Sequence, residues 1–500
     1  MFLRAGAISL GLLLASRLLG LLRETVQAAA FGASGLADVV VLMLTIPDWI
    51  TGVLVSGALA YVLLPHWARQ SHPAQMALQR RVARVLVVAG LGLGLLLAFF
   101  PGGLMVLLAP GLPASLAQVS RQAVWWSAAA LAPALLAALW ATRLQHLRDF
   151  LGLYAANLVF TGVVTLALAV AALAVLPAGG LQGLGPALLG AALLRLAWLA
   201  WRMHMAREGS TAGASEPAAQ AGADAAPGVR VWLWASLAAG LPLVLPFAAR
   251  SLASAGGAGQ LATFNYAWKL VELPLLLAIQ LVATLTLPVV ARTLADGRDP
   301  APALRRAFAL AGGLACGAIA GLLAGAPAVA QLLFGWGRMT PQGVQQVASW
   351  GLAGAWGLLP QALLAVAMTV LAARGRMGPV VIAHGLALAT LLAWGIGAGG
   401  DGTRLMWALN AASALVALVA LASLGREALA WLPWPAMAAS AAALAGTAAL
   451  TRLMPVYMNN MPLALAIAGL AAIITIAFGW LAGSDFRAAL QRQDDPKQHD

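Results

Sequence analysis

Three cations, Arg17, Arg23 and Lys269, lie inside segments of the sequence that are otherwise apolar. An ionisable side chain is costly in the hydrocarbon of a bilayer, so such residues mark functional sites that face water-filled cavities. The arginine guanidinium matches a phosphate group through paired N–H donors, whereas lysine binds it as a point charge. We expect these three residues to form a basic pocket that binds an anionic substrate such as a diphosphate.

Acidic residues accompany these cations. Glu24 follows Arg23 directly, Glu272 follows Lys269 by three residues, and Asp38 begins the second apolar segment. Side chains at positions i and i+3 of a helix are neighbours, so Lys269 and Glu272 are close enough to pair. We predict that Glu24, Asp38 and Glu272 form ion pairs with the cations as the pocket opens and closes.

Two prolines, Pro47 and Pro274, are predicted helix breaks in the segments that carry these acids. A proline has no N–H group, so the carbonyl one turn earlier loses its helical partner and can line a cavity. Other arginines near the predicted span ends are expected to form interhelical salt bridges or to reach the headgroups. They are Arg121, Arg195, Arg338, Arg404 and Arg452.

Motifs of soluble enzymes are missing from the sequence. It contains no G-x-S-x-G, no H-E-x-x-H and no Walker lysine, since its only lysines are Lys269 and Lys497. The single cysteine, Cys316, excludes a disulfide framework, and the six scattered histidines lack ligand spacing. We therefore expect a transporter rather than an enzyme, with no cofactor. The membrane potential, an ion gradient or the gradient of the substrate would drive it.

The elements that must position these residues are membrane helices. Of the 500 residues, 62% are hydrophobic and 9% are charged, whereas soluble domains carry about 25% charged residues. This composition disfavours a soluble enzyme, a disordered chain and a nucleic-acid-binding module. A span needs about 20 apolar residues, which divides the chain into fourteen predicted spans. They are 6–28, 37–64, 85–108, 123–142, 153–176, 184–202, 231–253, 264–289, 307–333, 344–373, 379–397, 404–424, 434–453 and 462–482.

Basic residues set the predicted orientation of these spans. With the N-terminus inside, 20 of the 29 lysines and arginines fall in inside loops or termini, as the positive-inside rule requires. The net charge of +13 thus follows from the topology and needs no nucleic-acid partner. We predict that both termini are cytoplasmic.

The spans are predicted to form an all-α polytopic fold of two pseudo-symmetric six-helix lobes plus two C-terminal helices. The motif A-x-x-x-L-P-x-x-A-R occurs in the second helix of each lobe, at 60–69 and 283–292. A motif shared by equivalent helices predicts a parallel repeat. The predicted regions are an N-terminal lobe (1–202), a flexible cytoplasmic linker (203–230), a C-terminal lobe (231–424), and the last two helices with a cytoplasmic tail (425–500).

Several motifs, in order along the chain, resemble the MurJ/MviN family of lipid II flippases. S-R-L-L-G-L-L-R-E at 16–24, F-G-A at 31–33 and A-D at 37–38 are similar to the opening of that family. The later similar segments are I-P at 46–47, S-G-A at 56–58, Y-A-W-K-L-V-E-L-P at 266–274 and L-F-G-W-G-R-M-T at 333–340.

The resemblance implies the fold of the multidrug/oligosaccharidyl-lipid/polysaccharide exporters, with two lobes around a central cavity. It implies movement of lipid II, the undecaprenyl-diphosphate-linked peptidoglycan precursor, from the inner to the outer leaflet of a bacterial inner membrane. Arg17 and Arg23 match the family's cavity arginines, Asp38 its acid on helix two, and Lys269 its helix-eight arginine beside Glu272. Membrane lipids and the cell-wall synthesis machinery are the implied partners.

Three positions on the second helix depart from the family's pattern. Thr51 and Gly52 stand where the family has a basic pair, and Ser56 stands where it has an acid. These departures leave open a flippase for another polyprenyl-linked glycan, such as an exopolysaccharide or O-antigen unit. An ion-coupled drug antiporter and a non-transporting membrane scaffold are further alternatives.

Overall fold

The protein is described by a computed structural model. It describes residues 2–52, 58–173, 177–210, 227–279, 282, 290, 293, 298–453 and 460–491. Every regular element within these ranges is helical, so the predicted all-α class is confirmed. The chain divides into two compact units, Met1–Ala262 with Trp336–Met339, and Thr263–Gly335 with Thr340–Asp500.

Most of the described helices of the first unit are long, whereas α3 and α5 have eight residues each. Their bounds are α1 (Phe2–Phe31), α2 (Gly35–Thr51), α3 (Ala60–Trp67), α4 (His72–Phe99), α5 (Pro101–Leu108), α6 (Ala117–His146), α7 (Phe150–Leu173), α8 (Pro177–Ser210) and α9 (Val229–Ser254). Helix α8 continues eight residues past the predicted start of the linker, and residues 211–226 of that linker lie outside the described ranges. The predicted four-region scheme stays a prediction.

Helix α10 (Gln260–Pro274) begins in the last residues of the first unit and continues into the second as a π-helical segment, Leu275–Ile279. The remaining helices are α11 (Ala301–Phe334), α12 (Pro341–Ala355), α13 (Leu358–Ala373), α14 (Gly378–Ile396), α15 (Gly402–Ser423), α16 (Glu427–Trp431), α17 (Trp434–Leu453), α18 (Met461–Ala482) and α19 (Ser484–Gln491). The second copy of the repeated motif, 283–292, lies outside the described residues except for Val290, so the repeat also stays a prediction.

Ten helices among the described residues are long and apolar enough to cross a membrane, or eleven if the bent pair α12–α13 forms one span. The predicted first, second and eighth spans are not among them. These three carry the charged residues and the prolines singled out above, and α2 and α10 both end within the second and eighth spans. A polytopic membrane protein is confirmed, whereas the number fourteen stays a prediction.

Small residues allow α11 and α18 to pack closely. Gly317, Gly321 and Gly325 recur every four residues along α11 and face α18. A Cβ atom on Gly325 would lie 2.6 Å from the Cβ of Ala468. Lipid provides no hydrophobic force between helices, so this approach, which maximises van der Waals contact, stabilises the second unit.

Candidate functional site

A side chain of α6 replaces the backbone hydrogen bond that α2 lacks at Pro47. Pro47 cannot donate a hydrogen bond to the carbonyl of Met43, four residues earlier. Ser127 of α6 replaces that donor, because its Oγ donates to the Met43 carbonyl at 2.8 Å. The Thr51 hydroxyl then donates to the Pro47 carbonyl at 2.7 Å. Helix α2 therefore continues through Pro47 to Thr51, and Asp48 follows the proline directly.

Arg23, Glu24 and Asp48 form an ion-pair cluster between α1 and α2. Arg23 Nη2 donates to Glu24 Oε1 at 2.8 Å, and Arg23 Nη1 lies 3.5 Å from Asp48 Oδ2. The side chains of Arg23 and Glu24 are 14% and 5% exposed, whereas that of Asp48 is 44% exposed. Opposite charges lower the cost of burial within a span. Glu24 is thus a tightly held partner of Arg23, and Asp48 is a loosely held one.

Arg195 of α8 is a site residue that the sequence analysis placed elsewhere. It lines a small cavity of the first unit with Pro47, Asp48, Thr51 and Phe160. Its guanidinium carbon lies 5.9 Å from the centre of the Phe160 ring. The sequence analysis expected it to form an interhelical salt bridge or to reach a headgroup. It lies near the middle of Gln182–Met205, the part of α8 that is long and apolar enough to cross a membrane.

Arg17 does not join this cluster. It lies six residues before Arg23 on α1 and is exposed, and within the described part of the chain it forms no ion pair. The two residues point about 120° apart and are offset by about 9 Å along a helix of 3.6 residues per turn. Its predicted role in substrate binding stays a prediction.

In the second unit, Lys269 and Glu272 form the pair that their spacing indicates. Lys269 Nζ lies 2.5 Å from Glu272 Oε2 on α10. Pro274 ends this helix, and the π-helical segment Leu275–Ile279 follows directly. A charged pair, a proline and a change of helical geometry therefore occur in succession, as π-segments often do at functional sites.

Asp38 binds the start of a helix rather than a cation. Its buried carboxylate accepts hydrogen bonds from the backbone N–H groups of Gly259 at 2.6 Å and Ala262 at 2.8 Å. These groups form the N-terminus of α10, where unpaired N–H donors and the helix dipole favour a negative charge. The contact explains the burial of Asp38, and its predicted gating role stays a prediction.

Arg338 binds the opposite kind of helix end. Its backbone N–H donates to the carbonyl of Ala29, and its Nη1 donates to that of Ala30, both at 2.9 Å. Gly32 and Gly337 have φ values of +63° and +60°, and a Cβ atom on Gly337 would collide with the Ala29 carbonyl. The F-G-A and F-G-W-G-R segments thus form one structural junction that ends α1.

No group of three or more histidine, cysteine, aspartate or glutamate side chains suited to a metal occurs among the described residues. His384 is buried, and its Nδ1 lies 2.8 Å from the carbonyl of Val380 on the same helix. The arrangement of the site instead offers guanidinium and ammonium groups, which bind anions.

Comparison with known proteins gives one family and a set of similar folds. A family model described as "Lipid II flippase MurJ" matches residues 27–477. The match begins after Arg23 and so does not include the cations of α1. Comparison with the curated proteins found no match.

Three solved structures illustrate the fold. A lipid II flippase MurJ in an inward closed conformation is similar with a TM-score of 0.77 at 14% identity, over 95% of this chain and 99% of that one. An inward-facing multidrug resistance MATE family transporter of the MOP superfamily has a TM-score of 0.55 at 16% identity, over 83% and 94%. A MOP superfamily transporter from Pyrococcus furiosus has a TM-score of 0.54 at 16% identity, over 85% and 94%. At these identities the likeness describes the fold alone.

Proposed function

The chain belongs to the MurJ family of lipid II flippases, and on that premise we propose that it moves lipid II from the inner to the outer leaflet of the cytoplasmic membrane by alternating access. The family predicted from the sequence motifs is thereby confirmed, and with it a role in membrane transport for peptidoglycan synthesis. We place the chain in a bacterial inner membrane with both termini cytoplasmic.

The charged cluster of the first unit is the observation that carries this proposal. Arg23 is held between two carboxylates in the predicted first and second spans, and one of these carboxylates, that of Asp48, is 44% exposed. A guanidinium with a replaceable partner can accept a phosphate of the substrate headgroup through paired N–H donors. In the proposed site Arg23 binds the diphosphate, and Asp48 is its exchangeable ion-pair partner beside the tightly held Glu24. The binding roles of Arg17 and Lys269 and the gating roles of Asp38 and Glu272 stay predictions.

Energy for the cycle would come from the membrane potential or an ion gradient. The only lysines are Lys269 and Lys497, so no lysine stands in a Walker phosphate-binding motif. Moving one elementary charge through 100 mV releases about 2.3 kcal/mol. A change in the position of a single cation is therefore enough to bias a two-state carrier.

A second candidate substrate is another polyprenyl-linked glycan. Thr51 favours it, because its hydroxyl donates to the backbone carbonyl of Pro47 and it supplies no charge where the family pattern has a basic residue. Since the diphosphate is shared by both substrates, the difference would lie in recognition of the glycan.

Complementation of a bacterium depleted of its own lipid II flippase tests the proposal. We expect the wild type to restore growth, and Arg23→Ala and Arg17→Ala to fail although they insert normally. Loss of one charge-assisted contact costs about 1.5–3 kcal/mol, which corresponds to a ten- to hundredfold loss of transport. Arg121→Ala is the matched control, because this exposed arginine of α6 lies outside the cluster. Failure of an inserted wild type to restore growth would contradict lipid II as the substrate.

A further inference from the structure

The guanidinium of Arg195 has no acceptor within the part of the chain that the structure describes. Its Nε atom is buried without a hydrogen bond, and its guanidinium carbon lies over the Phe160 ring, 5.9 Å from the ring centre. Arginine carries five N–H donors and stays charged. Leaving the buried Nε–H donor unsatisfied inside a span is costly, and a ligand that binds Arg195 would remove this cost.

Asp48 and Arg195, which carry opposite charges, line the same cavity. The Asp48 carboxylate also lies 3.5 Å from Arg23 Nη1. One carboxylate thus faces two guanidinium groups without forming a short hydrogen bond to either. An ion pair with one exposed partner contributes little to stability, and the Asp48 side chain is 44% exposed, so an incoming anion can displace it at little cost.

The charges of the cluster support such a displacement. Arg23 and Arg195 balance Glu24 and Asp48 in the absence of a ligand. When the Asp48 side chain turns to water, two cations and the buried Glu24 carboxylate remain, and the local charge rises by one unit. Two guanidinium groups then face the space that the carboxylate has left.

We propose that Arg195 is the second cation of a diphosphate site in the first unit. Arg23 binds one phosphate group, Arg195 binds the other, and the ligand replaces the Asp48 carboxylate between them. This inference rests on the proposed function for the nature of the ligand, a polyprenyl diphosphate. Two phosphate groups engage both arginines, whereas a monophosphate engages one.

Binding of two probes to the full chain in nanodiscs of neutral lipid tests the inference. The probes are undecaprenyl diphosphate and undecaprenyl monophosphate, and native mass spectrometry measures their binding. We expect Arg195→Gln to weaken diphosphate binding at least tenfold and monophosphate binding less than threefold. Arg195→Lys should bind the diphosphate more weakly than the wild type and more tightly than Arg195→Gln, because it keeps the charge without the paired donors. Asp48→Asn should tighten diphosphate binding by removing the competing carboxylate, and Arg121→Gln should change nothing.

The outcomes separate the inference from the proposed function. A wild type that does not prefer the diphosphate would contradict the proposed function itself. A wild-type preference that persists in Arg195→Gln would overturn the role of Arg195 while the proposed function stands. Equal losses for both probes would assign Arg195 a merely structural role and would also overturn it. If Arg195→Gln fails to fold, the ratio of diphosphate binding to monophosphate binding measured for Arg195→Lys decides the question.

Discussion

Replacing Ser127 by alanine removes the donor that substitutes for the missing N–H group of Pro47. The Ser127 side chain is completely buried, and its hydroxyl lies 2.8 Å from the Met43 carbonyl and 2.9 Å from that of Ala123. The Ala123 carbonyl belongs to the same helix as Ser127, so the Met43 carbonyl suffers the larger loss. A buried group left unsatisfied costs about 1–3 kcal/mol, and hydrogen bonds between membrane helices average about 0.6 kcal/mol. We expect Ser127→Ala to lower the free energy of unfolding by about 1 kcal/mol.

The same substitution should be nearly silent when Pro47 is also replaced. In Pro47→Ala the new N–H group lies four residues after Met43 and restores the helical hydrogen bond to its carbonyl. Adding Ser127→Ala should then cost less than about 0.5 kcal/mol, in the range of an ordinary substitution. The interaction energy of the double-mutant cycle is therefore expected to be about 0.5–1 kcal/mol.

Unfolding in mixed micelles of rising SDS content, followed by far-UV circular dichroism, measures these free energies. Thr142→Ala provides a matched control, because this buried hydroxyl of α6 donates only to the carbonyl of Ala138 on its own helix. Thr142→Ala should lower the free energy of unfolding by the same amount whether proline or alanine is at position 47. If Ser127→Ala lowers the free energy of unfolding equally in both backgrounds, Ser127 does not replace the donor that Pro47 lacks.

Two further predictions concern close packing and turns. Gly325→Leu should lower the free energy of unfolding by about 1–3 kcal/mol, because a Cβ atom there would lie 2.6 Å from the Cβ atom of Ala468. The control Gly469→Leu meets open space and should change this free energy little. Equal effects of the two substitutions in SDS unfolding would contradict the packing described for α11 and α18. Gly337→Ala should lower the midpoint of thermal unfolding more than Gly375→Ala does. Both glycines have positive φ values, but only Gly337 also faces a backbone carbonyl. Similar midpoints for the two variants would argue against the junction at the end of α1.

Features that depend on neighbouring residues could be predicted from the sequence. The Lys269–Glu272 pair follows from the spacing of one helical turn. The missing N–H donor at Pro47 and the end of α10 at Pro274 follow from the chemistry of proline, although α2 continues through Pro47 without a break. The membrane class follows from composition, because nearly every segment is apolar. These predictions require no knowledge of which helices are neighbours.

Features that depend on distant residues could not be predicted. Asp38 binds amides 221 and 224 residues away, and Arg338 binds a carbonyl 308 residues away. Either residue is charged, and charge alone suggested a cavity or a headgroup. Arg195 was assigned to a salt bridge or a headgroup for a related reason, because the cavity that it lines is formed with residues of α2, α6 and α7 that are distant in the sequence.

The contact between Arg338 and the end of α1 also sets an order of events in time. A ribosome adds about 5–20 residues per second. Because Arg338 follows Ala30 by 308 residues, the last carbonyls of α1 wait about 15–60 s after their own synthesis before this donor exists. Helices α2 to α11 precede Arg338 in the chain and are synthesised during this interval. Helix α1 therefore gains all of its native hydrogen bonds only after these ten helices have been made.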